Sequence, residues 1–265
     1  MRSTTPFLAL GLALLPMAAA AATPGFVPPD GCRLDFTVQE RSCTAVQHYR
    51  CDSDPPGDRR AAYFGEGGML RYLSRIDRET RWVWSEDPQS GIADMLVDEA
   101  RDHGSLTTLL ATGRDDFDFW TLSNTGERLH HVGHDELTGE AQVIDGVELE
   151  VTRFELTTSS DTGEVLIRRH GQQFVSRAQR RFYGGVEEGA DWTGEVRQSD
   201  DTPVLFAFPG EAGFGSVEPQ FGCGMLMTGV GNGPGPVPAA VRSGGAAPHP
   251  LRGLPPGYFG QGEGA

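Results

Sequence analysis

The chain contains no lysine; all 22 of its basic residues are arginine. That excludes a Walker-type phosphate loop, which needs a lysine after its glycines, and it excludes Schiff-base chemistry on a lysine amine. Cysteine is scarce: Cys32, Cys43, Cys51 and Cys223, with ten, seven and 171 residues between them. Those gaps lack the paired knuckles of a structural zinc site. There is no H-E-x-x-H run, and Gly213-Phe214-Gly215-Ser216-Val217 lacks the second glycine of a nucleophile elbow. Positive charge is short, 22 bases against 37 acids, for a net charge of −15. So negative a surface gains nothing from counterion release, and a nucleic-acid partner is not expected. After the first residues there is no long apolar run, so no transmembrane segment is expected in the mature chain.

What is there begins with an address. Arg2 precedes an apolar stretch, Phe7–Leu15, then Pro16 and a run of small residues ending at Ala22. That is the pattern of a cleaved signal peptide over residues 1–22, too short to stay in a bilayer as a spanning helix. It predicts export to the periplasm or beyond, with no cysteine after the cut to carry a lipid. Loss of residues 1–22 removes one arginine and no acid, leaving −16. Arginine in place of all lysine suits a GC-rich bacterial genome. In an oxidising compartment four cysteines read as two disulfides. Three pairings are possible, and each ties Cys223 to the N-terminal trio.

Residues 23–228 are enough for one substantial β-rich core. Residues 229–265 hold 11 Gly and 7 Pro, a composition expected to stay disordered. The pattern predicts a mainly β, single domain of sequential antiparallel hairpins forming a curved, half-barrel-like sheet with one or two short helices. Leu34, Phe36 and Val38 alternate with polar residues as a half-buried strand. Leu70–Ile76 with Trp82–Ser85, and Phe117–Ser123 with Leu129–Val132, read as hairpins. Further glycine turns are expected at Thr138-Gly139, Asp145-Gly146, Asp161-Thr162-Gly163, His170-Gly171 and Gly184-Gly185. The apolar phase slips near Thr152-Arg153, the signature of a β-bulge. Residues 91–103 have near-helical apolar spacing, and Leu106–Ala111 reads as a strand.

Three groups of residues carry candidate chemistry. His130, His131, His134 and Asp135, with Asp115, Asp116 and Asp118 on the preceding strand, are metal-capable; His131 and His134 are the chosen candidates. Adjacent histidines point to opposite faces of a strand, which works against a shared ion. From Val165 to Val186 there is no acid but there are five arginines. Arg168, Arg177, Arg180 and Arg181 are the candidate anion contacts, since guanidinium forks match carboxylate or phosphate. Trp82 with Trp84, and Phe117 with Phe119, each at spacing two, would line an apolar pocket on one sheet face.

Together these favour an exported, non-catalytic binding or carrier protein with no cofactor. Its partner would be a lipid-like or anionic small molecule, or an envelope protein. Exported chains of this size often hold an acyl chain in a half-barrel, an analogy of fold alone. The alternatives are a secreted metal-dependent hydrolase using the histidines, and a structural adaptor tethered by its tail.

Overall fold

Short turns with left-handed residues send the chain back alongside itself at strand after strand. Asp145 and Gly146, at φ 46° and 78°, form one such two-residue turn, and Gly126 and Gly163 close two others. The computed structural model describes residues 25–224; the expected signal peptide and tail lie outside them. The strands are β1 (Cys32–Glu40), β2 (Thr44–Cys51), β3 (Arg59–Gly65), β4 (Met69–Ile76), β5 (Trp82–Asp87), β6 (Ile92–Leu96), β7 (Arg114–Ser123), β8 (Arg128–Ile144), β9 (Val147–Ser160), β10 (Val165–Ser176), β11 (Arg181–Tyr183), β12 (Val186–Asp191), β13 (Val196–Asp200) and β14 (Pro203–Ala207). One helix, α1 (Leu106–Thr112), and a single 3₁₀ turn at Glu66–Gly68 complete the described fold.

All the strands belong to one antiparallel sheet of sequential hairpins, in the order β13-β12-β10-β9-β8-β7-β6-β5-β4-β3-β2-β1-β14, with β11 beside β10. The ladder is open, yet its two outermost strands are consecutive in the chain. β13 ends at Asp200 and β14 starts at Pro203. Three Cα steps span at most about 11 Å. The sheet must therefore curl until its edges nearly meet. Near that seam, the Arg41 guanidinium beside β14 reaches Asp200 at the end of β13 at 3.3 Å, and the Phe206 N–H of β14 donates to the Asp145 carboxylate of the β8–β9 turn at 2.8 Å. The expected curved sheet of hairpins is thus present, wound further than a half-barrel.

Bulges decide which face each side chain takes. Pairing slips between Leu34 and Phe36, so Leu34 packs with Tyr49 and Phe64 while Phe36 packs with Val38 and Phe206. The expected single apolar face of β1 is therefore split. From Phe36 to Glu40 both faces are buried, because residues 208–224 return across the outer side. Polar side chains accept that cover by saturating one another. Thr37 donates to Gln47 Oε1 at 2.7 Å, Gln47 Nε2 donates to the Ser216 carbonyl at 2.7 Å, and Gly215 N–H donates to Thr37 Oγ1 at 2.8 Å. Satisfied in this way, buried amides and hydroxyls cost little.

Four local expectations are corrected. The phase slip in β9 arises from its neighbour: between Leu137 and Ala141 the extra residues sit on β8, while β9 pairs evenly with β10 there. Thr138-Gly139 is that bulge and His170-Gly171 lies inside β10, so neither is a turn. Residues 92–96 form a strand with partners on both sides, and Met95 faces outwards. The helix is instead at Leu106–Thr112, where a strand was expected. Ser105 caps its start by accepting from the Thr108 N–H, Gly113 ends it at φ 87°, and Leu106 and Leu109 bury against Val175.

The disulfides are Cys32–Cys51, which staples paired positions of β1 and β2, and Cys43–Cys223. Gly222 rests against the β1–β2 turn so closely that a Cβ would lie 1.7 Å from the Arg41 carbonyl oxygen. In a chain-entropy treatment the 180-residue loop is worth about 5 kcal/mol and the 19-residue loop about 3. Replacing Cys43 and Cys223 by serine should therefore lower stability to chemical denaturation by more than the same change at Cys32 and Cys51. Equal losses would show that the C-terminal clasp contributes nothing beyond local stapling.

Candidate functional site

Curling leaves room inside. The curl leaves a partly open cavity of about 180 Å³ whose wall includes residues of β2, β3, β4, β7, β8, β9 and β11 and the start of α1. Benzene fits a dry cavity of about 150 Å³, so a ring or a medium apolar chain can enter this one. Of the four expected aromatic contacts, Trp82, Phe117 and Phe119 line it. Trp82 meets Phe119 edge-on with centroids 5.7 Å apart, and Phe117 lies 5.8 Å from Phe119. Phe117 can lie over its neighbour strand only because Gly133 is opposite; a Cβ there would sit 2.9 Å from the ring. Trp84 is elsewhere. Ile76 pairs with Trp82 but Arg75 pairs with Trp84, so a bulge at Val83 turns Trp84 to the other face, where Arg60 lies 5.8 Å from its ring. Spacing of two was a sound cue for Phe117 and Phe119 and failed for the tryptophans at that bulge.

The arginines separate in the same manner. Arg168 is exposed. Arg177 grips Glu150, with Nη2 3.0 Å from Oε1, and the Leu110 carbonyl. Arg180 holds the Arg78 carbonyl and Thr107, both at 3.1 Å, fixing the β4–β5 turn to α1. Only Arg181 of the four lines the cavity. It is 4% exposed, and burial lowers the pKa of its guanidinium. Its ring partner is Phe36, 5.8 Å away, and its Nε has no hydrogen-bond acceptor among the described residues.

The histidines are not brought together. His131 is fully buried, stacked on Phe119 at 5.0 Å, with Thr121 Oγ1 3.0 Å from Nε2 and Thr158 Oγ1 3.1 Å from Nδ1. Burial, reinforced by His130 and Arg169, lowers its pKa to about 3, so it is neutral and both ring nitrogens are occupied. His134 pairs with Asp116 and Glu155, three residues on and on the opposite face. Among the described residues no cluster of three or more His, Cys, Asp or Glu has the geometry to hold a metal ion. His130 does reach Asp118 across the hairpin, at 2.6 Å.

Several wall residues were not chosen from sequence. His48 lies tilted on Phe36 with ring centroids 4.7 Å apart, and its Nδ1 has no hydrogen-bond partner among the described residues. Arg59 donates through Nε to the Gln179 carbonyl at 3.0 Å. Glu187 of the wall is held from behind by buried Arg169 in a bidentate pair at 3.1 and 3.0 Å. Asp115 and Asp135 face each other directly across β7 and β8. Burial raises Asp115 to about 6 and Asp135 to about 7, each helped by neighbouring carboxylates, Asp135 by Asp115 itself. Asp135 keeps some accessible surface and lines the cavity. These residues come from strands far apart in the chain, and only the acid-rich Asp115-Asp116 and Asp135 hinted at the site. Compared with protein-family models, curated proteins and solved structures, the chain matches none.

The wall acids give a pH prediction. Asp115, Asp135 and Glu187, at about 6, 7 and 7, bind protons more tightly folded than unfolded. Between about pH 4 and 7 the unfolded chain thus holds fewer of their protons, and stability falls as pH rises. His131 acts oppositely but is a single group. The melting temperature should drop from pH 5 to pH 8, and Asp135→Asn should lessen the drop by a few degrees. A melting temperature that rises over that interval would contradict the assignment.

Proposed function

We propose that the protein is an exported, non-catalytic binding or carrier protein that encloses a small amphipathic molecule inside the curled sheet. The observation that carries this reading is the cavity, walled on one side by Trp82, Phe117 and Phe119 and on another by polar groups including Arg181. Apolar wall with a few convergent polar groups is the usual make-up of a small-molecule site. Export is supported by the N-terminal pattern and by the two disulfides, which persist in oxidising compartments. No helix among the described residues is long and apolar enough to cross a membrane. The hydrolase reading gains no support, since His131 and His134 lie on opposite faces.

Native mass spectrometry of the folded, full-length protein should show a bound small molecule that leaves on denaturation, or uptake of the apolar dye N-phenyl-1-naphthylamine with energy transfer from tryptophan. Trp82→Phe should reduce that transfer more than Trp84→Phe. A protein that carries nothing and takes up no dye is not a carrier of this kind.

A further inference from the structure

Arg181 and Arg59 are in an unusual position for cavity-lining cations. Among the described residues neither forms an ion pair within 4 Å; the acid whose charge reaches both is Asp35, which is itself taken up by Arg50 at 2.6 Å. Arg59 spends its Nε on a backbone carbonyl. The Arg181 main chain is held in the ladder opposite Ser176, but among the described residues its side chain donates to no acceptor, and its Nε is buried without one. Between them is Tyr183, whose hydroxyl is buried and whose ionised form both guanidiniums favour, Arg181 more than Arg59, against that burial. The two cations reach this spot from different directions: Arg59 from β3, and Arg181 from β11, which lies beyond β10 in the ladder. The unpartnered Nδ1 of His48 belongs to the same wall.

A buried guanidinium whose Nε meets no acceptor is costly, and folded proteins seldom keep one without a partner. We infer that the partner is the ligand: the cavity takes an amphipathic carboxylic acid, its carboxylate on the Arg181 fork beside Arg59 and His48, its apolar body against Phe117, Phe119 and Trp82. This rests on the binding reading above and names its head group. A carboxylate matches the planar fork with two parallel N–H···O contacts. A carboxylate brings one negative charge and a phosphate dianion two, and the ionised fraction of Asp115 and Asp135 on the same wall opposes the second more than the first.

Calorimetric titration of the full-length protein with octanoate, octyl phosphate and 1-octanol tests this. Octanoate should bind at least tenfold tighter than octanol. Arg181→Met should weaken octanoate at least tenfold and leave octanol within twofold. The ligand-free Arg181→Met protein should melt no lower than the parent, since it sheds an unpaired buried charge; a merely structural arginine would give a lower melting temperature. Should that variant fold poorly, Arg59→Gln must also weaken octanoate selectively. Equal binding of octanoate and octanol, unchanged by either substitution, overturns the head-group assignment while sparing the cavity. Tighter binding of octyl phosphate overturns the choice of carboxylate. Failure of all three to bind a folded protein overturns both the assignment and the carrier reading beneath it.

Discussion

Asp201 and Thr202 are all that separate the two outermost strands of a 14-stranded sheet. A flat sheet of that width would place its edges far apart, since neighbouring strands are about 4.8 Å from one another. A two-residue link therefore dictates strong curvature, and curvature supplies the bulges, the interior and the buried charges. Asp201 itself is almost fully buried at the seam. Gly184 lets it in, for a Cβ there would come within 2.5 Å of the Asp201 Cβ.

Curvature also explains why this protein has two kinds of interior. One part is packed: Phe36, Val38, Leu149, Val151, Phe174 and Phe206 from distant strands bury against one another. Elsewhere, between β3–β4, β7–β8 and β11 and reaching Asp201 of the seam, the space is not filled, and the cavity persists there between aromatic rings and carboxyls. The long β8–β9 hairpin serves both regions. Its bulge at residues 138–140 lets Val151 face the packed core while Phe154 and Leu156 face the cavity.

Local chemistry was readable from the residues; register was not. Asn124-Thr125-Gly126, Asp145-Gly146 and Asp161-Thr162-Gly163 form turns because their backbone preferences are satisfied within a few residues. The helix was legible in principle: Ser105 and Gly113 bracket Leu106, Leu109 and Leu110 at helical spacing, a cue outweighed by the longer amphipathic run at 91–103. The bulges at Asp35, Val83 and 138–140 arise from how strands meet across the sheet, so nothing beside Trp84 announced its outward turn. For the site, Phe117 and Phe119 followed from alternation. Arg181 stood out by charge, but its isolation could not be foreseen, because it depends on Phe36, Tyr183 and Arg59, which neighbour it only after the sheet has curled.

The clasp between Cys43 and Cys223 alters how this chain would respond to being pulled. Tension applied beyond Cys223 does not reach β14, the exposed edge from which a sheet unzips one hydrogen bond at a time. It passes through sulfur into the turn between β1 and β2, strands that are paired on both sides and stapled again at Cys32–Cys51. Load entering there must shear many backbone bonds together, so the fold is mechanically anchored at its most resistant point.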